Sequence, residues 1–422
     1  MDHVRPDNVA PTGPRLTGTP ARPPVTVPGA PLPTAAGAAP PTSSRAALTA
    51  RVKWLAAEHG LSVSAVTSAE GFPGLAGALD DHIQAGRMAG LDWFTAERAR
   101  FSSDPRNLHP TARSILSVGV AYWSVDPGKP DDGVPRGRIS RYAWGVDYHD
   151  LLKRRLASLQ AAIEDVVGHP VEARRLVDTA RIPERAVAAR AGLGWLGKHG
   201  GVIVPGHGSW VMLGELVLDL DLEPDAPLGQ TCGRCAICLD RCPTGAIVAP
   251  GVIDTPLCLS YQTIENRGVI PVAIRPLMGD WVYGCDVCQE VCPYTKAARN
   301  EPDPAFLPRS VENAYPSLRW LLRMSPGEFR ATYAGTAVPR TKRRGLARNA
   351  AVALGNVGSD DDVPFVIDAL LTHDEPLVRG HAAWALGRLG GPAALAALDR
   401  VRTKDPDSSV RAEAEAALAM VG

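Results

Sequence analysis

The chain is 422 residues long and carries 45 Lys and Arg against 45 Asp and Glu, a balance that excludes a global field for nucleic acid and confines any such contact to a local patch. The length implies two or three domains, enough to bury a sizeable core. No apolar run approaches the roughly 18 residues that span a bilayer, so no membrane segment is expected.

Residues 1–45 are rich in Pro, Ala, Gly and Thr and lack hydrophobic periodicity, which predicts a disordered tail. They show neither the apolar core of a signal peptide nor a twin-arginine pair. With thiolates required further on, a cytoplasmic location is expected. From 46 to 225 the pattern predicts helices over 46–59 and 76–89, strands over 114–122, 173–177 and 211–220, and a helix around 184–191. Over 148–167, Leu151, Leu152, Leu156, Leu159 and Ile163 recur at helical spacing, with Lys153, Arg154 and Arg155 on the other side. This alternation implies a sheet-centred layered domain whose strand order the sequence does not reveal.

Three stretches of this domain are polar beyond what a fold requires. One runs from Arg141 and Tyr142 through Trp144 and Asp147 to Tyr148 and His149. The second is Asp178-Thr179, at the end of an apolar strand. The third is Gly192–Gly200, containing Lys198 and His199 and followed by Gly208 and Ser209. Glycine at that density lets backbone approach a ligand closely. It matches neither GxGxxG in a βαβ unit nor a Walker loop, and a tight structural turn, with Asp178 capping the next helix, is an equally good reading.

Residues 226–300 hold all eight cysteines. Cys232, Cys235, Cys238 and Cys242, followed by Pro243, have the bacterial spacing that wraps a [4Fe–4S] cube, the fourth thiolate reaching across to a second cube. Cys285, Cys288 and Cys292, followed by Pro293, repeat the run with Val282 in the first slot, and Cys258 is the spare thiolate. One cluster is therefore assigned to Cys232, Cys235, Cys238 and Cys292, the other to Cys242, Cys258, Cys285 and Cys288. Zinc knuckles lack the third CxxC step and the Cys-Pro, and disulfides belong to shorter chains in oxidising compartments.

Residues 301–422 predict a helix over 315–332 and then an internal repeat beginning at Leu346, Leu377 and Ser409. Arg348, Arg379 and Arg411 recur about thirty residues apart, as in a helical-pair solenoid that must dock on its neighbour to be stable. The densest basic run, Arg340 to Arg344, sits at its mouth, either as a solvated face or as a grip for phosphates.

Several segments together resemble the epoxyqueuosine reductase family: VDTA at 177–180, AGLGWLGKHG at 191–200, GSWVMLGEL at 208–216, the cysteine region with CLSY at 258–261, RPLMGDWVYGCDVCQ at 275–289, and PRTKRRGLARNAAVALGN at 339–356. The resemblance runs from about residue 46 to the end; the long N-terminal tail departs from it. It implies an α+β or α/β cobalamin-binding domain, a ferredoxin-like domain with two [4Fe–4S] clusters, and a C-terminal α-solenoid of HEAT-like repeats. It further implies reduction of epoxyqueuosine to queuosine at the wobble position of tRNA, the last step of queuosine biosynthesis. Asp178 matches the family's proton donor, and burial behind Leu176 and Val177 is expected to raise its pKa. Cofactor contacts fall on Arg141, Tyr142, Lys198, His199, Ser209, Tyr283, Gly284 and Asp286. Contacts to tRNA fall on Ser260, Gln262 and Glu265 near the modified base and on Lys342, Arg343 and Arg344 at phosphates. A monomer fed by an external donor, flavodoxin-like, ferredoxin-like or chemical, is expected.

Three other classes compete. A reductive dehalogenase shares both cofactors but typically carries an export signal and has no need of a basic solenoid. An iron–sulfur electron carrier leaves Asp178, the glycine-rich loop and the repeat without a role. A zinc-scaffolded RNA-binding protein would be colourless.

Overall fold

The computed structural model describes Ala39 and residues 42–420. The tail expected over 1–45 lies almost wholly outside the described residues. The first helix, α1 (Arg45–Glu58), starts on a Ser44 cap and buries Val52, Leu55 and Ala56.

The N-terminal domain is built on four strands: β1 (Val63–Ser68), β2 (Ser114–Ala121), β3 (Ala173–Leu176) and β4 (Val211–Leu218). Their order is β1-β2-β4-β3 and every pair is antiparallel, so the domain is α+β. Strand β2 is buried along its whole length, as its central place demands. The even-numbered apolar residues of β2 and β4, Leu116, Val118, Val120, Leu216 and Leu218, share a core with α1 and with α2 (Tyr148–Val167). Ile115 and Val217, on the other face, pack with Val187 of α3 (Glu184–Arg190). By the same alternation Glu215 lies on the α3 face, opposite Ser117 of β2 and Leu176 of β3. β1 was not anticipated, because VSAVTS lacks the long apolar run that marks β2.

Two predicted helices change length. The one expected over 76–89 ends at Gln84 in a chain of tight turns. The one expected over 315–332 splits into Leu318–Arg323 and Pro326–Tyr333. There Pro326 cannot continue the first helix, and Ser325 with Glu328 forms a capping box that starts the second.

The cysteine-bearing region is tied to the first domain by a parallel pairing of Trp281–Tyr283 with Arg138–Ile139. Before that pairing it contributes a short helix, α4 (Leu259–Ile264). Five helices complete the chain: α5 (Lys342–Val357), α6 (Val363–Thr372), α7 (Pro376–Leu389), α8 (Pro392–Lys404) and α9 (Ser408–Ala419). The stack of α5, α7 and α9 is close because its contact points are glycines. A Cβ on Gly355 would lie 2.9 Å from Ala385 Cα, and one on Gly387 would lie 2.9 Å from the Ala417 oxygen.

This solenoid shares one continuous core with residues of α4 and Trp281–Tyr283. Fully buried Arg348 donates to the carbonyls of Gln262, Asn266 and Gly268, Asn349 to those of Thr263 and Val282, and Arg275 pairs with Glu413. The docking inferred from the small number of repeats is thus made by named contacts.

Candidate active site

All eight cysteines are free thiols. The thiol of Cys238 is pushed up by burial and then by its neighbours Cys292, Cys232 and Cys235. That of Cys288 is pushed well up by burial and by Cys285, Cys258 and Cys242, and burial raises Cys285 to about 12 with help from Cys258 and Cys242. Cys238 thus has Cys232, Cys235 and Cys292 among its neighbours and Cys288 has Cys242, Cys258 and Cys285, two foursomes whose described side chains do not close to metal-ligand distance. Crowded, mutually repelling thiols of this kind suit a cationic core that would draw off their protons.

Cys288 of the second foursome forms part of the wall of a cleft of about 330 Å³. Tyr148, Asp178, Glu184, His199 and Ser209 line the same cleft. Asp178 follows β3 and has φ +48°, a left-handed backbone that few non-glycine residues adopt. Its carboxylate accepts from the Tyr148 hydroxyl at 2.8 Å and meets His149 Nε2 at 3.2 Å; Arg340 lies 3.8 Å away. It does not cap α3, whose N-cap is Pro183.

The expectation of a raised Asp178 pKa is corrected. Surrounding protein does push the carboxyl up, but hydrogen bonds from His149 and Tyr148 and the charges of His149 and Arg340 outweigh it, and the net shift is downward. The side chain also keeps 43 % of its surface accessible on the cleft, which weakens desolvation further. His149 moves the other way. Burial pulls its pKa down, yet Asp147 at 2.9 Å and Asp178 together lift it to about 9. At neutral pH the imidazolium thus sits between two carboxylates, a proton already in contact with Asp178.

Behind Asp178 lies a second carboxyl pair. Glu184, the first residue of α3, accepts from the Asp178 backbone N–H. Glu215 is 0 % exposed and neither carboxyl oxygen has a partner among the described residues other than a contact with Glu184. Burial pushes Glu184 up to about 8 and pushes Glu215 well above the usual carboxyl range, which favours the protonated form of the pair.

The predicted cofactor residues separate into two sets. His199 and Ser209 line the cleft. His199 accepts from the Gly201 N–H through Nδ1, its buried Nε2 has no partner, and burial lowers its pKa to about 4, so it is a neutral ring with a free N–H. The other residues hold the scaffold. Lys198 donates to the Gly233 carbonyl beside the first cysteine loop. Arg141 pairs with Glu290, and Asp286, buried, accepts from Ser140 and from the Arg141 N–H. Tyr142 meets the Tyr283 hydroxyl at 3.3 Å, and Tyr283 donates to the Ala337 carbonyl. The Gly284 N–H donates to Thr263, and a Cβ there would come within 2.5 Å of Ser140 Cβ.

The residues expected at tRNA are also mostly engaged within the protein. Gln262 is buried and bonded to the Pro256 carbonyl and Asn266, Glu265 pairs with Arg340, and Ser260 is half-buried on α4. Arg343 grips Asp374 and Arg344 lies 3.8 Å from Glu375, whereas Lys342 is exposed. Tyr148, His149 and Glu184 are participants for which sequence reasoning assigned no role, and Arg340, read as part of the basic run, turns to Glu265 and Asp178 instead. Only the polar Tyr148-His149 pair gave a signal.

Comparison with known proteins bears on this geometry. The epoxyqueuosine reductase family model (Epoxyqueuosine reductase QueG, DUF1730) matches residues 103–179, a 4Fe-4S double cluster binding domain matches 231–295, and HEAT repeats match 341–419. Epoxyqueuosine reductase of Staphylococcus aureus is 38 % identical over 79 % of this chain and 87 % of its own, and that of Xanthomonas campestris is 38 % identical over 81 % and 96 %. A crystal structure of epoxyqueuosine reductase with an epoxyqueuosine-modified tRNA-Tyr stem loop superposes with a TM-score of 0.83 at 32 % identity, covering 88 % of this chain and 97 % of that one. The matched domains define the class first: an iron–sulfur protein with a C-terminal helical repeat. The family is definite: the chain belongs to the epoxyqueuosine reductases.

Proposed function

We propose that this protein reduces epoxyqueuosine to queuosine in tRNA, with Asp178 presenting the proton. One observation carries the reading. Asp178 and Cys288 of the second thiol foursome face the same cleft, so a proton donor and a one-electron source would meet at one place. The reaction consumes two electrons and two protons, both C–O bonds of the epoxide break, a C=C bond forms and oxygen leaves as water.

The two foursomes suit [4Fe–4S] clusters held by Cys232, Cys235, Cys238 and Cys292 and by Cys242, Cys258, Cys285 and Cys288. The cleft also suits a corrin: His199 offers a free, buried N–H, and Gly200 with φ +85° and Gly201 leave backbone bare along its wall. Cobalamin held there by His199, Ser209 and that backbone would supply a strongly reducing metal centre. The chain does the rest. Asp178 stands as a carboxylate and takes a proton from the imidazolium of His149, which Asp147 holds in place. Tyr148 keeps the carboxylate oriented, and Glu184 fixes its strained backbone.

The N-terminal unit 46–225, the thiol-bearing unit 226–300 and the repeat 301–422 would then serve the cofactor, the electron entry and the RNA. The first foursome would face an external donor, in a monomer working in the cytoplasm.

Anaerobic purification, iron and cobalt analysis after adding cobalamin, and an assay on epoxyqueuosine-containing tRNA test the reading. About eight irons per chain, as two cubes require, one corrin and queuosine as product are expected. A full iron complement without corrin uptake or turnover would make the chain an electron carrier.

A further inference from the structure

The basic run at the start of α5 is largely consumed by internal ion pairs, yet positive charge is available elsewhere at the site. Arg98 donates to the carbonyls of Thr179 and Ala180, the two residues that follow Asp178, at 2.9 and 3.1 Å. Arg181 is close enough to depress the pKa of Arg98 after burial has done so, and its guanidinium lies over Phe101. Neither arginine takes part in an ion pair among the described residues. Over the Arg98 guanidinium, 4.7 Å from the ring centre, lies Trp93, which is 48 % exposed, more than an indole with an apolar core at hand would be.

The segment carrying Trp93 also touches the other side of the site. The Thr255 N–H donates to the Arg87 carbonyl, and Tyr261 of α4 packs its hydroxyl against Gly90. Residues 87–98 thus bridge the Asp178 loop and α4, with a bare aromatic face and two uncompensated guanidinium groups on the rim. We propose that Trp93, stacked on Arg98 and flanked by Arg181, is a nucleobase-stacking platform that holds an unpaired base of the substrate RNA beside the nucleotide presented to Asp178.

The chemistry favours that occupant. A nucleotide must leave its stack to reach a side chain in a cleft, and its neighbour is left with an open face. An indole backed by a guanidinium offers a face for any base, and unpaired arginines suit the adjoining phosphates. The platform rests on the reductase reading above.

The test uses the full-length cluster-loaded protein and a fluorophore-labelled anticodon stem-loop of tRNA-Tyr. Trp93→Ala should weaken binding roughly tenfold or more, Trp93→Phe should retain most of it, and Arg181→Gln should lower the salt slope by about one. Tryptophan emission should be quenched by the RNA in the wild type and less so in Trp93→Phe. Iron content and cobalamin uptake should be unchanged in all three. Equal binding by Trp93→Ala and wild type would sink the platform alone. Loss of cobalamin uptake with RNA binding intact would overturn it by giving the ring to the cofactor. A wild type that binds no stem-loop would sink the reductase reading and the platform together.

Discussion

The mouth of the helical repeat and the wall of the cleft treat polar side chains in opposite ways. At the repeat, charge is closed off: Arg343 holds Asp374, Arg379 holds Asp405, Arg275 holds Glu413, and Arg348 spends its donors on three carbonyls. At the cleft a polar group is left open: among the described residues His199 Nε2 has no hydrogen-bond partner, and behind the cleft the Glu215 carboxyl meets only Glu184. A buried group without a partner is costly in a fold and is kept where a ligand or a proton completes it. Most of the dense positive run thus has internal partners, whereas the groups around Asp178 stand on the cleft.

That contrast predicts where substitutions act. The largest effect is expected from Asp178→Asn, which removes the proton carrier but preserves shape. Turnover should fall by about 10² to 10⁴, the usual contribution of a general acid, while iron content and corrin uptake stay at wild-type values. Near-normal turnover would take Asp178 out of the mechanism.

Arg348→Met tests the other side of the contrast. It strips buried carbonyls of their donors and should destabilise by on the order of 3 kcal/mol, seen as a lower thermal midpoint. If Arg348 served RNA instead, stability would hold and stem-loop binding would drop.

His149 gives a smaller, pH-dependent effect. Its folded pKa is raised to about 9 from an ordinary 6.5. The sign follows: its contact with Asp147 and Asp178 contributes fully below about 6.5 and is lost as pH rises through about 9. Imidazole NMR should show that midpoint, and Asp147→Asn should lower it. A midpoint near 6.5 in the wild type would dissolve the proposed proton source.

The smallest change is expected from neutralising Lys342, Arg343 and Arg344 together. Arg343 and Arg344 already have acidic partners, so the salt slope of tRNA binding should fall by about one, for Lys342, rather than three. A drop of three would show that RNA displaces Asp374 and Glu375.

How much of this was legible in the sequence depended on the range of the interaction. Thiol spacing is local, and the two foursomes could be written down from it. The helix of α2 and the apolar run of β2 were equally plain, because period and length are local too. The antiparallel order was not, since nothing in 211–220 says which strands it joins. Nor was the meeting of Asp178 with Tyr148 and His149, which lie on α2 and reach it only because β3 and β4 pair. Charge misled in the same way. The arginines of 340–344 are visible in the sequence, whereas Asp374 and Glu375 neutralise them from the next repeat. Glu215 looked like one polar residue in an apolar strand, and only its register shows that it faces α3.

The crossing of the two thiol groups bears on how the protein is made. Cys292 joins the group of Cys232, Cys235 and Cys238, while Cys242 joins that of Cys258, Cys285 and Cys288. The second set is complete once Cys288 has left the ribosome, whereas the first waits for Cys292 although its other three members precede Cys242. A chain truncated between Cys288 and Cys292 would therefore lack one member of the first group while holding all four of the second.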